Sequence, residues 1–185
     1  MNLNKRNFIN LSDIKKKDLD KILKRAVSLK RLRKNSSSLK NSLSGINLAM
    51  IFEKPSTRTR VSFEIAIKEL GGQAIILDEN TTHLARGETV ADTARVLDRY
   101  CQVFMIRTTN HNKLIEYQNY ANAPIINGLS NLSHPCQVMA DIMAFEENRE
   151  KIFKKKVVHL KIVSLVLIWL WFLKNLLLGQ GFHLR

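Results

Sequence analysis

The chain has 185 residues, 45% of them hydrophobic, and a formal net charge of +14; that length makes one domain the default, with room for a sizeable core. The charge sits at the ends: residues 1–60 hold 16 basic and 4 acidic side chains, 61–150 hold 7 and 12, and 151–185 hold 7 and none. With no aromatic residues interleaved in the basic run and no nucleic-acid motif, this describes a solvated lysine-rich face and excludes a nucleic-acid surface.

Two cysteines, Cys101 and Cys136, make neither a disulfide framework nor a metal pattern, and the five histidines are scattered without ligand spacing. No metal is therefore expected. The N-terminus has no apolar signal-peptide core, so the cytoplasm is the simplest address.

In chain order, Ser12 or Asp13 is expected to cap a helix running to about Lys34, with Ile14, Leu19, Ile22, Leu23, Ala26 and Val27 inward and the lysines outward. Asn35 to Ser38 is a polar linker. The apolar run Ile46–Phe52 reads as a buried strand. After the turn Glu53–Arg60, Phe63, Ala66, Ile67 and Leu70 fall at i, i+3, i+4 and i+7, one helical face closed by Gly71 as its C-cap. The pattern then repeats. Gln73–Leu77 is a second strand, Asp78–Gly87 a polar loop and Glu88–Tyr100 a helix. Val103–Arg107 is a third strand, and Asn110 caps a helix down to Tyr120. Pro124–Asn127 is a fourth strand, followed by the loop Gly128–Ser133 and a helix from His134-Pro135 to about Asn148.

Four strand–helix alternations predict an α/β fold, a parallel sheet of about four strands flanked by helices. In such sheets ligands sit beyond the carboxyl ends of the strands. The reactive groups collect there: Ser56–Arg60 after the first strand, His83–Glu88 after the second, Arg107 ending the third, and His134–Gln137 after the fourth. Ser56, Thr57, Arg58 and Thr59 lie where a helix N-terminus exposes free N–H groups and favours negative charge, which suits phosphate. An ordinary Ser/Thr helix cap beside an exposed arginine accounts for that turn equally well.

The words of this stretch separate the two. Phe-Glu-Lys-Pro-Ser-Thr-Arg-Thr-Arg-Val-Ser-Phe-Glu (52–64) resembles the carbamoyl-phosphate signature of the transcarbamoylases, and Ile51, Glu53-Lys54 and Val61–Glu64 resemble the ornithine more than the aspartate enzymes. His134-Pro135-Cys136-Gln137 extends the likeness, which covers about residues 1–156.

The resemblance implies a carbamoyl-phosphate-binding domain over 1–150. In it Ser56, Thr57, Arg58 and Thr59 hold the phosphate, Arg107 and His134 polarise the carbonyl, and Gln137 sits near the carbamoyl nitrogen. Arg58, Arg107, His134 and Gln137 are thereby the catalytic set. The activity implied is carbamoyl transfer from carbamoyl phosphate to ornithine, giving citrulline in arginine metabolism, by a homo-trimer with sites at subunit contacts and with no metal or organic cofactor. Cys136, buried by expectation and without a base partner, reads as a packing residue. Arg60 reads as pairing with a carboxylate, and Asp92 with Arg95 as a surface ion pair.

Two departures stand out. His83-Leu84-Ala85-Arg86-Gly87-Glu88 occupies the place of the family's Gln-Leu-Gly-Arg-Gly-Glu, whose glutamine reaches a neighbouring subunit's carbamoyl phosphate; His83 can still donate a hydrogen bond. After Lys156 the family's second α/β domain, which carries the ornithine motifs, is expected to be missing. Residues 151–185 read as a truncated or frameshifted remnant. Ile162–Leu173 there is apolar except for Ser164, yet falls short of the ~20 residues that span a bilayer. A catalytically inactive binding or partner subunit, and a basic protein held at a membrane by this tail, are the alternatives.

Overall fold

The computed structural model describes residues 7–33, 42–78 and 87–154, with side chains described to 148. The strands are β1 (Asn47–Phe52), β2 (Gln73–Asp78), β3 (Val103–Arg107) and β4 (Ile125–Leu129). The helices are α1 (Lys16–Arg33), α2 (Thr57–Glu69), α3 (Val90–Leu97), α4 (His111–Tyr120) and α5 (Pro135–Lys154), with a short 3-10 turn at Leu11–Asp13. All pairings are parallel and the strand order is β2-β1-β3-β4.

The central strands are apolar from Leu48 to Phe52 in β1 and from Val103 to Ile106 in β3, with only Asn47 and Arg107 polar at their ends, because helices cover both faces of the sheet. Leu48, Met50 and Phe52 of β1, with Val103, Met105 and Ile126, pack against α1, α2 and α5. Ala49, Ile51, Phe104, Ile106 and Ile125 face the other way, onto Ala94 of α3 and Leu114 and Tyr117 of α4. The register aligns the carboxyl ends: Phe52 lies opposite both Asp78 and Arg107, and Arg107 opposite Leu129. Side chains that leave these ends therefore share one edge of the sheet.

Helix α2 folds as its spacing predicts, with Phe63, Ala66, Ile67 and Leu70 all buried. Its end is a Schellman arrangement. Gly71, at φ +86, sits one residue past the cap Leu70, its N–H donates to Lys68 O, and Gly72 N donates to Ile67 O, both at 3.0 Å. Strand β4 runs two residues beyond its expected end. Gly128 makes this possible, since a Cβ there would meet Met105 Sδ at 2.4 Å.

The first helix starts later than its sequence signals. Leu11–Asp13 forms its own 3-10 turn, Ile14 is extended (φ −108, ψ 129), and α1 begins at Lys16 below the Lys15 carbonyl, which accepts from Asp18 N and Leu19 N. Neither Ser12 nor Asp13 caps it: the Ser12 hydroxyl and the Asn10 amide both bond Asp13. The break lets Leu11 and Ile14 reach the core. Beyond it Ile22, Ala26 and Leu29 are buried while Lys16, Lys17, Lys21 and Lys24 are exposed, so the lysines form a solvated face. Ion pairs Arg33–Glu69 (2.8 Å) and Lys30–Glu147 tie α1 to α2 and α5. Helix α3 is shorter than Glu88–Tyr100: Thr89 caps its start, Oγ1 accepting from Asp92 N at 3.1 Å, and residues 98–100 leave the helix in tighter turns, with Arg99 N donating to Val96 O and Tyr100 N to Leu97 O.

Phe8 has no counterpart among the expected elements. It bridges Ile126 in parallel, donating from its N–H to Ile125 O (2.7 Å) and accepting from Asn127 N (2.9 Å), so residues 7–10 cover the outer edge of β4.

Phe63, 1% exposed, anchors α2 to the sheet. Phe63→Ala is expected to lower unfolding free energy by about 3–5 kcal/mol, whereas Val61→Ala, on the opposite face and 52% exposed, changes it by about 0.5 kcal/mol or less. Urea denaturation of the two variants checks this, and equal stabilities would mean that the Phe63 face is not the buried one.

Candidate functional site

Ser56 leaves β1 in extended conformation (φ −153, ψ 102) and caps α2. Its Oγ accepts from Thr59 N at 3.4 Å and donates to Thr59 Oγ1 at 3.0 Å. The helix-cap reading is thus correct as far as it goes. What exceeds a simple cap is Arg107. From the end of β3 its guanidinium crosses the end of β1 and donates to Thr59 Oγ1 at 3.3 Å. Burial first, and then the positive charge of Arg58, lower the Arg107 guanidinium from its usual value. Arg107 Nε is buried with no partner among the described residues. Thr57 and Arg58 are exposed on the first turn of α2. Two guanidiniums, a helix N-terminus and the hydroxyls of Ser56, Thr57 and Thr59 therefore make a strongly anion-seeking corner.

Glu53 fixes the relation between the two turns. Its N–H donates to Arg107 O (3.0 Å), and its carboxylate accepts from Thr108 Oγ1 (2.5 Å), Thr109 N (3.3 Å) and Lys113 Nζ (2.5 Å). That carboxylate is committed to the β3–α4 turn. It leaves the positive charge of the corner for a ligand.

His134 stands at the head of α5, its carbonyl accepting from Gln137 N (3.1 Å) and Val138 N (3.2 Å). Burial, then the nearby Arg107 charge, push its imidazole down to about 4, partly opposed by Asp141. The ring is neutral at physiological pH and can donate a hydrogen bond without carrying charge. Its Nδ1 is buried and unpartnered among the described residues. Gln137 Nε2 donates to Asp141 Oδ1 at 2.8 Å, which turns the amide so that Oε1 is its acceptor end. The corner thus offers donors for an anion, a neutral donor and a carbonyl-type acceptor.

Of the residues read from sequence, Ser56, Thr59 and Arg107 are joined by hydrogen bonds, and Arg58 and His134 lie close enough to Arg107 to interact with its charge. Thr57 shares the turn, and Gln137 follows His134 on α5. His83, with its loop, lies outside the described residues, as does the 157–185 tail. Cys136 is 1% exposed, its thiol donates to Asn127 O at 3.1 Å, and burial raises that thiol well above its usual value, partly opposed by a backbone hydrogen bond, as a packing residue requires. Arg60 pairs with Glu64 at 3.7 Å, and Arg95 with Asp92 at 3.2 Å, all on exposed faces.

Sequence reasoning assigned no part to Glu53, Lys113, Asn127, Ser133 or Asp141. Glu53 and Asp141 had a signal, since each lies within or one helical turn beyond a motif block. Among the described residues no cluster of three or more His, Cys, Asp or Glu side chains could hold a metal. No described helix is long and apolar enough to cross a membrane.

Comparison with known proteins bears on this site. The family described as aspartate/ornithine carbamoyltransferase, carbamoyl-P binding domain, matches residues 6–147. An ornithine carbamoyltransferase of Rhodopseudomonas palustris (strain ATCC BAA-98 / CGA009) is 50% identical over 144 residues, which are 78% of this chain and 46% of that protein. One from Agrobacterium fabrum is 49% identical over 144 residues, 78% and 47% of the two chains. Among solved structures, ornithine carbamoyltransferase from Pyrococcus furiosus superposes with a TM-score of 0.75 at 45% identity, covering 81% of this chain and 48% of that one. The catalytic subunit of M. jannaschii aspartate transcarbamoylase gives 0.70 at 34% identity, over 78% and 47%. The chain spans about half the length of the curated relatives it matches. It belongs to the aspartate/ornithine carbamoyltransferase family, and its sheet with the anion-seeking edge is that family's carbamoyl-phosphate-binding domain.

Proposed function

We propose that residues 1–150 bind carbamoyl phosphate along the carboxyl edge of the sheet, and that the reaction served is transfer of the carbamoyl group to the side-chain amine of ornithine, giving citrulline and phosphate in arginine metabolism. The observation that carries this reading is the approach of Arg107 to Thr59, beside Arg58, at the N-terminus of α2. Like charges brought together at a dipole's positive end are stabilised by a dianion. Ornithine is favoured over aspartate as acceptor because the relatives at 45–50% identity carry that name, against 34% for the aspartate enzyme's catalytic subunit.

In this reading Ser56, Thr57, Thr59 and Arg58 hold the phosphate. Arg107 and neutral His134 donate to the carbonyl oxygen, and Gln137 Oε1 accepts from the carbamoyl NH₂. The uncharged amine attacks the carbonyl carbon. Negative charge grows on the carbonyl oxygen, where the donors stabilise it, then the bond to the bridging oxygen breaks. Phosphate leaves with the electron pair, and the new amide nitrogen gives up its proton to that phosphate. A neutral His134 suits a donor role better than a cation, since Arg107 already supplies charge. Ornithine would be held by a second domain in place of residues 151–185, in a cytoplasmic homo-trimer, with His83 as the residue read from sequence as serving a neighbouring subunit's carbamoyl phosphate.

The half-length match favours one narrower reading for this chain by itself: it binds carbamoyl phosphate without turnover. An assay for ornithine-dependent phosphate release by the 185-residue chain separates the two.

Arg58 is exposed, so its loss tests binding without disturbing the core. Arg58→Ala is expected to weaken carbamoyl phosphate by about 1.5–3 kcal/mol, the size of a hydrogen bond to a charged group, with unchanged thermal unfolding. Equal calorimetric affinity in mutant and parent would remove Arg58 from the site.

His134 gives a pH test. An unfolded imidazole takes its proton near pH 6.5, the folded one only near 4. The unfolded state therefore binds more protons between these values. The stability attributable to this group is complete above pH 6.5 and is lost as pH falls toward 4. Unfolding free energies measured across pH 7 to 4 should fall less steeply in His134→Gln than in the parent; parallel curves would show that the ring is not held neutral.

A further inference from the structure

We infer that Asn127 is a positioning residue for His134, acting through Ser133 and the N-terminal strap Asn7–Asn10. Asn127 is 0% exposed, in a strand whose neighbours are apolar. An amide in such a place is unfavourable unless it is hydrogen-bonded, and an apolar side chain of like size would fill the volume without that cost. Its Oδ1 does stay without a partner among the described residues, so what the amide contributes lies in what its other groups hold.

What they hold are the two sides of His134. On one side Nδ2 donates to Ser133 Oγ (3.0 Å) and to Ser133 O (3.3 Å). On the other the Asn127 carbonyl accepts from Cys136 Sγ (3.1 Å). Nδ2 also donates to Ile9 O (3.0 Å), the Asn127 N–H donates to Phe8 O (2.9 Å), and Ser133 Oγ donates to Asn10 Oδ1 (2.9 Å). The strap thereby clamps the β4–α5 loop from outside.

Because His134 Nδ1 has no partner among the described residues, the ring is aimed through its backbone and packing. Asn127 fixes that backbone. Its backbone also pairs with Ile106, the residue before the register shift at Arg107, so the residue that holds the His134 backbone is built into the strand next to the one that ends in Arg107. The inference rests on the carbamoyl-phosphate reading only for what His134 touches.

The test uses the full chain with inorganic phosphate and carbamoyl phosphate as probes. Asn127→Leu and Ser133→Ala are expected to bind inorganic phosphate like the parent, because the α2 corner is intact. They should lose roughly ten- to hundredfold of the preference for carbamoyl phosphate, the scale of a small misplacement of a catalytic group. In the same proteins the NMR midpoint of the His134 ring should move from about 4 toward 6.5, and Ser133→Thr, which keeps the hydroxyl, should restore both properties. Where Asn127→Leu fails to fold, the Ser133→Ala and Ser133→Thr pair decides. Folded variants with parental His134 titration overturn the inference, and so does a parallel loss of both ligands with a lower melting temperature. A parent that shows no preference for carbamoyl phosphate defeats the functional reading instead, and the His134 titration then decides this inference alone.

Discussion

Two guanidinium groups near one helix N-terminus repel each other, and most of what surrounds Arg58 and Arg107 serves to keep them there. Arg107 ends a central strand, so its backbone is locked by the parallel pairing of Phe52 with Arg107 on one side and Arg107 with Leu129 on the other. Thr59 accepts its guanidinium, and Ser56 holds Thr59. Glu53, the nearby carboxylate in the same turn, is drawn off to Thr108, Thr109 and Lys113. Among the described residues no carboxylate forms an ion pair with either arginine where the strands end. A core buried on both faces of the sheet bears that cost.

The same charge sets the state of His134. A histidine half-buried beside an arginine stays neutral, so the edge combines one type of group that is always charged with one that is not. In the proposed reading that division suits transfer from a phosphorylated carbamoyl group: cations for the leaving phosphate, a neutral donor and an amide acceptor for the planar group beside it. Asp141 contributes from one helical turn below, steadying Gln137 and partly offsetting the depression of His134.

Much of this was legible in the sequence, because local rules decided it. The i, i+3, i+4, i+7 face of α2, the Asn110 cap of α4, and β3 from Val103 to Arg107 all stand as read. The collection of Ser56–Thr59, Arg107 and His134 at one edge follows from parallel connectivity alone. Non-local bonding was not legible. Asn127 looks like the polar end of a short strand, yet its amide bonds Ile9, 118 residues away. Phe8 gives no strand signal by itself and is placed only by β4. The start of α1 was misplaced for a related reason: Ser12 and Asp13 are good caps locally, but burying Leu11 and Ile14 outweighs them.

The central claim is that the groups at the ends of β1, β3 and β4 form one site for one ligand. The most direct measurement is the change in ¹H–¹⁵N spectra on adding carbamoyl phosphate, followed at the backbone amides of Thr57–Arg60, the Arg107 Nε–H and the His134 ring. A single saturable curve shared by all three groups, with inorganic phosphate moving the α2 amides but leaving His134 unchanged, is the result expected. Shifts confined to the lysine face of α1, or separate curves for Arg107 and His134, would contradict it.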